Sequence, residues 1–253
     1  MIVISQSQFH PQEAAAATAG SPDSPTAPSP TSVDSATLCR PVTRARDSAL
    51  PPQLDGIRGL ILDWDGTLAD THQARYRALT QALSPYHVAL PETWYRQHAG
   101  LPILDLIALL PKPVPTARVR AASSQLLLHH LQSGRLRPIP VTLALLQQAH
   151  AAGLPCAIAS STSLSLVTAG LSALGLLDAF QAVVTVEDVA QGKPAPDVFL
   201  EAARRIGVPA LRCLAVDDAP DGIAAARAAR MNVFTLSTDQ TALVRPSKEV
   251  ITP

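Results

Sequence analysis

Aromatic side chains make up only 4% of this chain, cysteines number three, and charge of neither sign is in excess, with 20 Lys and Arg against 20 Asp and Glu. Each shortage excludes something. With charge balanced, nothing points to nucleic acid or an anionic membrane surface as a partner. Cys39, Cys156 and Cys213 are odd in number and widely spaced, so they form neither a metal-binding pair nor a disulfide framework. That usage fits a reducing compartment, and a cytoplasmic location is expected. No apolar run reaches the roughly 18 residues that a membrane-spanning helix needs. What the chain does have is bulk: 47% of its 253 residues are hydrophobic, enough for a sizeable core in one or two domains.

Residues 1–55 differ in kind from the rest. Alanines from Ala14 to Ala17 precede prolines at Pro22, Pro25, Pro28 and Pro30 among serine and threonine, without hydrophobic periodicity. Such a segment buries too little apolar surface to offset its chain entropy, so a disordered extension is expected. It lacks the basic start and apolar centre of a secretory signal, and its acids argue against a transit peptide.

The chain is organised around 57–71. An apolar run ends at Asp63, a second acid follows at Asp65, and Gly66 permits a sharp turn. Two acids at the carboxyl end of a buried strand can converge on one cation, Asp63 through its side chain and Asp65 through its backbone carbonyl; taken alone, the pair reads equally as a charged turn. Thr71 can cap a helix over 71–83, and proline-broken helices follow at 91–99, 103–110 and 116–132. From there strands at 154–159, 183–186, 211–216 and 232–236 alternate with helices at 141–151, 163–174, 196–206 and 220–229. The expected fold is therefore α/β: a Rossmann-like parallel sheet with helices on both faces, plus an inserted all-helical domain. The expected division is an extension over 1–55, a core from 56–70 and 139–253, and a helical insertion over 71–138.

Three further strand ends carry polar groups. Ser160-Ser161-Thr162 follows the strand at 154–159 and offers hydroxyls and free N–H groups to an oxyanion, although an ordinary helix cap reads the same way. Lys193 sits between Gly192 and Pro194, so a single cation can be held over a site; a surface loop lysine is the plain alternative. Asp217 and Asp218 follow the strand at 211–216 and repel each other unless a cation or a helix N-terminus stabilises them. In one parallel sheet these four strand ends share an edge, so the groups can meet in one crevice.

With those residues in place, the chain resembles a phosphohydrolase of the haloacid dehalogenase superfamily, in the branch with a helical cap inserted after the first motif. The matching pieces are DWDGTLADT at 63–71, IASST at 158–162, GKPAPDVF at 192–199 and VDDAPDGIAAARAARM at 216–231. Within the branch it is most similar to the β-phosphoglucomutase-like and hexose-phosphate phosphatase group, with phosphoglycolate phosphatases close by. The resemblance implies Mg²⁺ as cofactor, a small phosphorylated metabolite as substrate, and a monomer. Asp63 then resembles the nucleophile that becomes an aspartyl phosphate, and Asp65 the general acid and base, with a pKa raised for that work. Ser160, Ser161 and Lys193 would bind phosphate oxygens, while Asp63, Asp65, Asp217 and Asp218 would form the metal site. In the cap, Arg75 is the leading candidate for a substrate contact, ahead of His72, Tyr76, Trp94, Arg96 and His98. The Lys193–Pro194 bond is expected to be cis, as it often is in the resembling family.

Three departures stand out. Asp217 replaces a common glutamate and is shorter by one methylene, so a water could stand between it and the metal. Arg230 replaces a glycine, and the chain must turn there without one. Mutases of the group carry a histidine and an arginine where this chain has Arg75 and Ile103, which weakens the alternative of a sugar-phosphate mutase.

Overall fold

A computed structural model of the protein describes residues 53–236 and the backbone of Thr43–Ala45. The expectation of a disordered extension over 1–55 lies mostly outside the described residues. It is corrected at Thr43–Ala45, which forms a short strand, β1. The segment has no apolar pattern to announce it, and it joins the sheet by parallel backbone pairing with the last strand.

The remaining strands are β2 (Gly59–Leu62), β3 (Cys156–Ala159), β4 (Ala182–Val184), β5 (Cys213–Asp217) and β6 (Asn232–Leu236). All pairings are parallel, in the order β1-β6-β5-β2-β3-β4. Pro155 has no N–H for the ladder, so β3 starts at Cys156 rather than at Leu154 as the apolar run suggests. The helices are α1 (His72–Leu83), α2 (Glu92–Gln97), α3 (Ile103–Ala108), α4 (Thr116–Leu131), α5 (Pro140–Ala151), α6 (Leu164–Ala173), α7 (Asp197–Arg205) and α8 (Pro220–Ala228). None of the described helices is long and apolar enough to cross a membrane.

Side chains alternate across a strand, so the sheet feeds two cores. Leu60, Leu62, Ile158, Leu214 and Val216 face one way, against Leu145 and Leu146 of α5 and Val167 and Leu171 of α6. Ile61, Ala157, Ala159, Cys213 and Ala215 face the other way, against Phe199 and Ala202 of α7 and Ala225 and Ala226 of α8. Small residues on this second face let α7 and α8 lie close to the sheet. Helices on both faces make the fold the α/β arrangement expected.

Helices α1–α4 all fall between β2 and β3 and enclose a third, smaller core of Leu79, Leu83, Leu90, Tyr95, Leu106, Ile107 and Val119. The block is also anchored to the sheet, because Ala78 of α1 and Leu127 and Leu131 of α4 belong to the first core. Where the chain leaves the sheet and returns, the Asp70 N–H donates to the Arg137 carbonyl at 3.0 Å and the Ile139 N–H to the Leu68 carbonyl at 2.8 Å.

The topology selects one place for a ligand. From β2 the chain moves outward through β3 and β4, then returns to the opposite side of β2 for β5 and β6. Connections therefore diverge between β2 and β5, and in an open parallel sheet a crevice forms beyond the strand ends at such a switch point.

Candidate active site

Register brings the polar groups level. Leu62 pairs with both Ile158 and Val216, so Asp63, Ala159 and Asp217 stand side by side at the carboxyl edge, with Ser160 one step further out. Asp63 is anchored by its own N–H, which donates to the Val216 carbonyl at 2.9 Å. One carboxylate oxygen from each of Asp63, Asp217 and Asp218 lies within 4.8 Å of the other two. Lys193, arriving from the loop after β4, spans the cluster: its Nζ donates to Asp63 Oδ1 at 2.5 Å and to Asp217 Oδ2 at 2.8 Å. Its ammonium also lies 5.0 Å from the centre of the Phe199 ring. The Lys193–Pro194 bond is cis, as expected.

Two glycines make this density of carboxylates possible. Gly66 has a φ of +74° and faces Asp218 so closely that a Cβ would touch its carboxylate. At Gly222 in α8 a Cβ would overlap the Asp217 carboxylate. The remaining anchors are local: Asp217 Oδ1 accepts from the Ala219 N–H at 2.9 Å, and Asp218 Oδ1 accepts from Thr67 Oγ1 at 2.9 Å.

Electrostatically the cluster is short of positive charge, with three carboxylates facing one ammonium. Burial pushes Asp63 well above the usual carboxylate range; Lys193 opposes that shift, while Asp217, Asp218 and Asp65 reinforce it. Burial and the charge of Asp217 push Asp218 up to about 6. Lys193 loses some basicity to burial but more than regains it from Asp63 and Asp217, so it is held charged. An oxygen-rich set that carries two excess negative charges once all three acids are ionised fits a hard divalent cation such as Mg²⁺.

Asp65 departs from expectation. Its Oδ1 accepts from Thr71 Oγ1 at 2.7 Å and from Arg75 Nε at 2.7 Å; its Oδ2 accepts from Arg75 Nη2 at 2.5 Å and from Thr162 Oγ1 at 2.6 Å. Burial raises its pKa, but the Arg75 charge and the hydrogen bonds from Arg75, Thr162 and Thr71 outweigh that and lower it. The raised pKa expected from the sequence is thus corrected: in this arrangement Asp65 is an ionised carboxylate gripped on both oxygens. Thr71 occupies the N-cap position of α1 but makes no cap bond, because its hydroxyl is turned to Asp65.

The chain matches the haloacid dehalogenase-like hydrolases over residues 57–230. It belongs to that family. CbbY of Rhodobacter capsulatus is 30% identical over 199 residues, covering 73% of this chain and 87% of that protein. The fructose-1-phosphate phosphatase YqaB of Escherichia coli is 33% identical over 184 residues, covering 69% of this chain and 93% of that one. Among solved structures, CbbY from Rhodobacter sphaeroides in complex with phosphate superimposes with a TM-score of 0.66 at 26% identity, covering 75% of this chain and 90% of that chain.

In this dehalogenase-like hydrolase, the fold brings Asp63, Asp65, Ser160, Lys193, Asp217 and Asp218 to one edge. Ser160 is buried and its Oγ accepts from the Thr162 N–H at 3.1 Å, whereas Ser161 is exposed and makes no side-chain hydrogen bond among the described residues. Of the helical-block candidates, Arg75 alone reaches the acids. Arg96 pairs with Glu92, the Tyr76 hydroxyl donates to the Leu90 carbonyl, and His98 binds the Trp94 carbonyl and stacks on its ring. Thr67, Thr71 and Thr162 hold site carboxylates, whereas the sequence points to Thr71 as a helix cap, to Thr162 as a partner for an oxyanion and to no role for Thr67. Their hydroxyls lie inside the quoted motifs, so nearness to the acids is the signal that could have found them.

Proposed function

We propose that this protein is a Mg²⁺-dependent phosphatase that hydrolyses a small phosphomonoester, a sugar phosphate or similar organic phosphate, through an aspartyl phosphate on Asp63. The observation that carries the reading is the meeting of Asp63, Asp217 and Asp218 within 4.8 Å, with Lys193 bridging two of them. The phosphatase activity in YqaB's name and the phosphate bound to the Rhodobacter sphaeroides CbbY structure support the substrate class.

In this reading an Asp63 oxygen attacks phosphorus as the bond to the leaving oxygen breaks. Lys193 and the hydroxyl of Ser160, with the N–H groups after it, hold the non-bridging oxygens as charge spreads over them. Mg²⁺, held by Asp63, Asp217, Asp218 and the Asp65 carbonyl, would offset the repulsion between a carboxylate and a phosphate dianion. Asp65, ionised as it stands, takes up a proton from solvent, gives it to the leaving oxygen as that bond breaks, and then takes one from the water that releases phosphate. Both its oxygens are engaged in this structure, so it must first release Arg75 or Thr162. Helices α1–α4 act as a cap over the leaving group, with Arg75 at its entrance. We take the enzyme to act as a cytoplasmic monomer. A mutase is not favoured: Arg75 is committed to Asp65, and Ile103 offers no charge for a second phosphate.

Phosphate release from a panel of sugar phosphates and phosphoglycolate, with Mg²⁺ and with chelator, tests this. Release with the metal, its loss with chelator, and no release by a folded Asp63→Asn variant are expected. No release from any member of the panel would overturn the proposal.

A further inference from the structure

A second collection of charge lies away from the acids, where the chain passes between sheet and helical block. A solvent-open concavity of about 180 Å³ has Asp70, Arg77, His130, Ser133, Arg135 and Arg137 in its lining. None of Asp63, Asp65, Ser160, Lys193, Asp217 or Asp218 lines it. Arg77 and Arg135 have no hydrogen bond or ion pair among the described residues. Arg137 spends one nitrogen on the Gly134 and Leu136 carbonyls, at 2.8 Å each, and pairs with no described carboxylate. His130 Nε2 is buried without a partner. Three guanidinium groups against the single carboxylate of Asp70 leave an excess of two positive charges even with His130 neutral. His130 registers that field: burial, then the charges of His129, Arg77 and Arg135, lower its pKa.

Surface arginines ordinarily find carboxylates or separate into solvent. Here they converge from α1 and from the 132–139 segment on one small space. Guanidinium forks match the oxygens of a phosphoryl group, and two excess charges match a dianion. The volume is below the roughly 300–1,000 Å³ of sites for drug-sized ligands, which suits a phosphoryl group rather than a nucleotide. We propose that this concavity, lined by Arg77, His130, Arg135 and Arg137, is an anion-binding site distinct from the catalytic crevice that takes inorganic phosphate or the phosphoryl group of a small metabolite.

The test is a titration of the ¹⁵N-labelled, chelator-treated protein with inorganic phosphate, followed through the arginine side-chain N–H signals and the backbone amides of 133–137. Saturable shifts at these positions are expected, with no counterpart when sodium chloride is added to the same ionic strength. In the Arg77→Ala/Arg135→Ala variant the affinity at these positions should fall by at least about tenfold for each guanidinium removed. The amide spectrum away from these positions should be unchanged in the variant and report an intact fold. Should that variant not fold, Arg77→Gln alone carries the same expectation. Methylphosphonate, whose C–P bond resists hydrolysis, separates the sources: binding by both anions assigns a phosphoryl-bearing metabolite, and binding by phosphate alone assigns the free ion. Shifts reproduced by chloride, shifts confined to 160–163 and 193, or unchanged affinity in the variants would each overturn the site.

Discussion

Replacing Arg75 with alanine tests the grip on Asp65. The change removes two hydrogen bonds to that carboxylate and one to Thr162. Hydrogen bonds to charged groups contribute about 1.5–3 kcal/mol each when shielded, and exposed ion pairs about 0–1 kcal/mol. With the Arg75 and Asp65 side chains 28% and 25% exposed, the pair lies between these limits. Asp65 keeps Thr71 and Thr162, so a loss of about 1–3 kcal/mol is expected near neutral pH. Direction with pH follows from linkage. Arg75 helps lower the folded-state pKa of Asp65, so the stability it contributes is present above the unfolded value of about 3.9 and is lost as pH falls through the folded value. The gap between wild type and variant, measured by urea unfolding, should therefore be widest near neutral pH and narrow below about pH 4. Arg75→Lys should recover only part of the loss, since an ammonium cannot reproduce the two-pronged contact. A loss that is negligible near neutral pH, or that stays constant across this range, would show that Arg75 does not pair with Asp65 in solution.

Because Asp63 and Asp218 are both shifted up, the ion-free protein should lose stability as pH rises from about 4 through about 6, and Mg²⁺ must displace protons to bind. The rise in thermal midpoint on adding Mg²⁺ should accordingly be small near pH 5 and larger near pH 7.5, about the range of ordinary enzyme buffers; a pH-independent rise would place the ion elsewhere. Gly222→Ala should weaken Mg²⁺ binding at least about tenfold by displacing the Asp217 carboxylate, at a stability cost of about 1–3 kcal/mol. Unchanged Mg²⁺ affinity by calorimetry would show that Asp217 takes no part in the metal site.

Much of this arrangement is legible in the sequence because it rests on local patterns. Short apolar runs that stop at Asp63, Ser160 and Asp217 identify both the strands and their ends, and a parallel sheet then requires the ends to share an edge. What could not be read depends on side-chain direction. Arg75 can be placed one turn into α1, but its reach to Asp65 rather than into the crevice is set by how α1 packs on the sheet. The same contact reverses the pKa shift expected for Asp65. Thr71 satisfies the pattern of a helix cap, yet a nearby carboxylate competes successfully for its hydroxyl. At Arg230 the sequence shows that glycine is missing from a turn but not the solution, which is an arginine in the left-handed region with a φ of 60°. The strand at Thr43–Ala45 carries no signal because backbone pairing alone defines it.

The central claim is that phosphoryl transfer passes through Asp63. Its most direct test is acid quenching of the enzyme during turnover of a ³²P-labelled sugar phosphate with Mg²⁺, followed by proteolysis and mapping of the label. The account predicts an acid-stable, base-labile acyl phosphate on the peptide that contains Asp63, absent in Asp63→Asn. Rapid turnover with no label on that peptide at any quench time, together with substantial activity in Asp63→Asn, would show that water attacks the substrate directly.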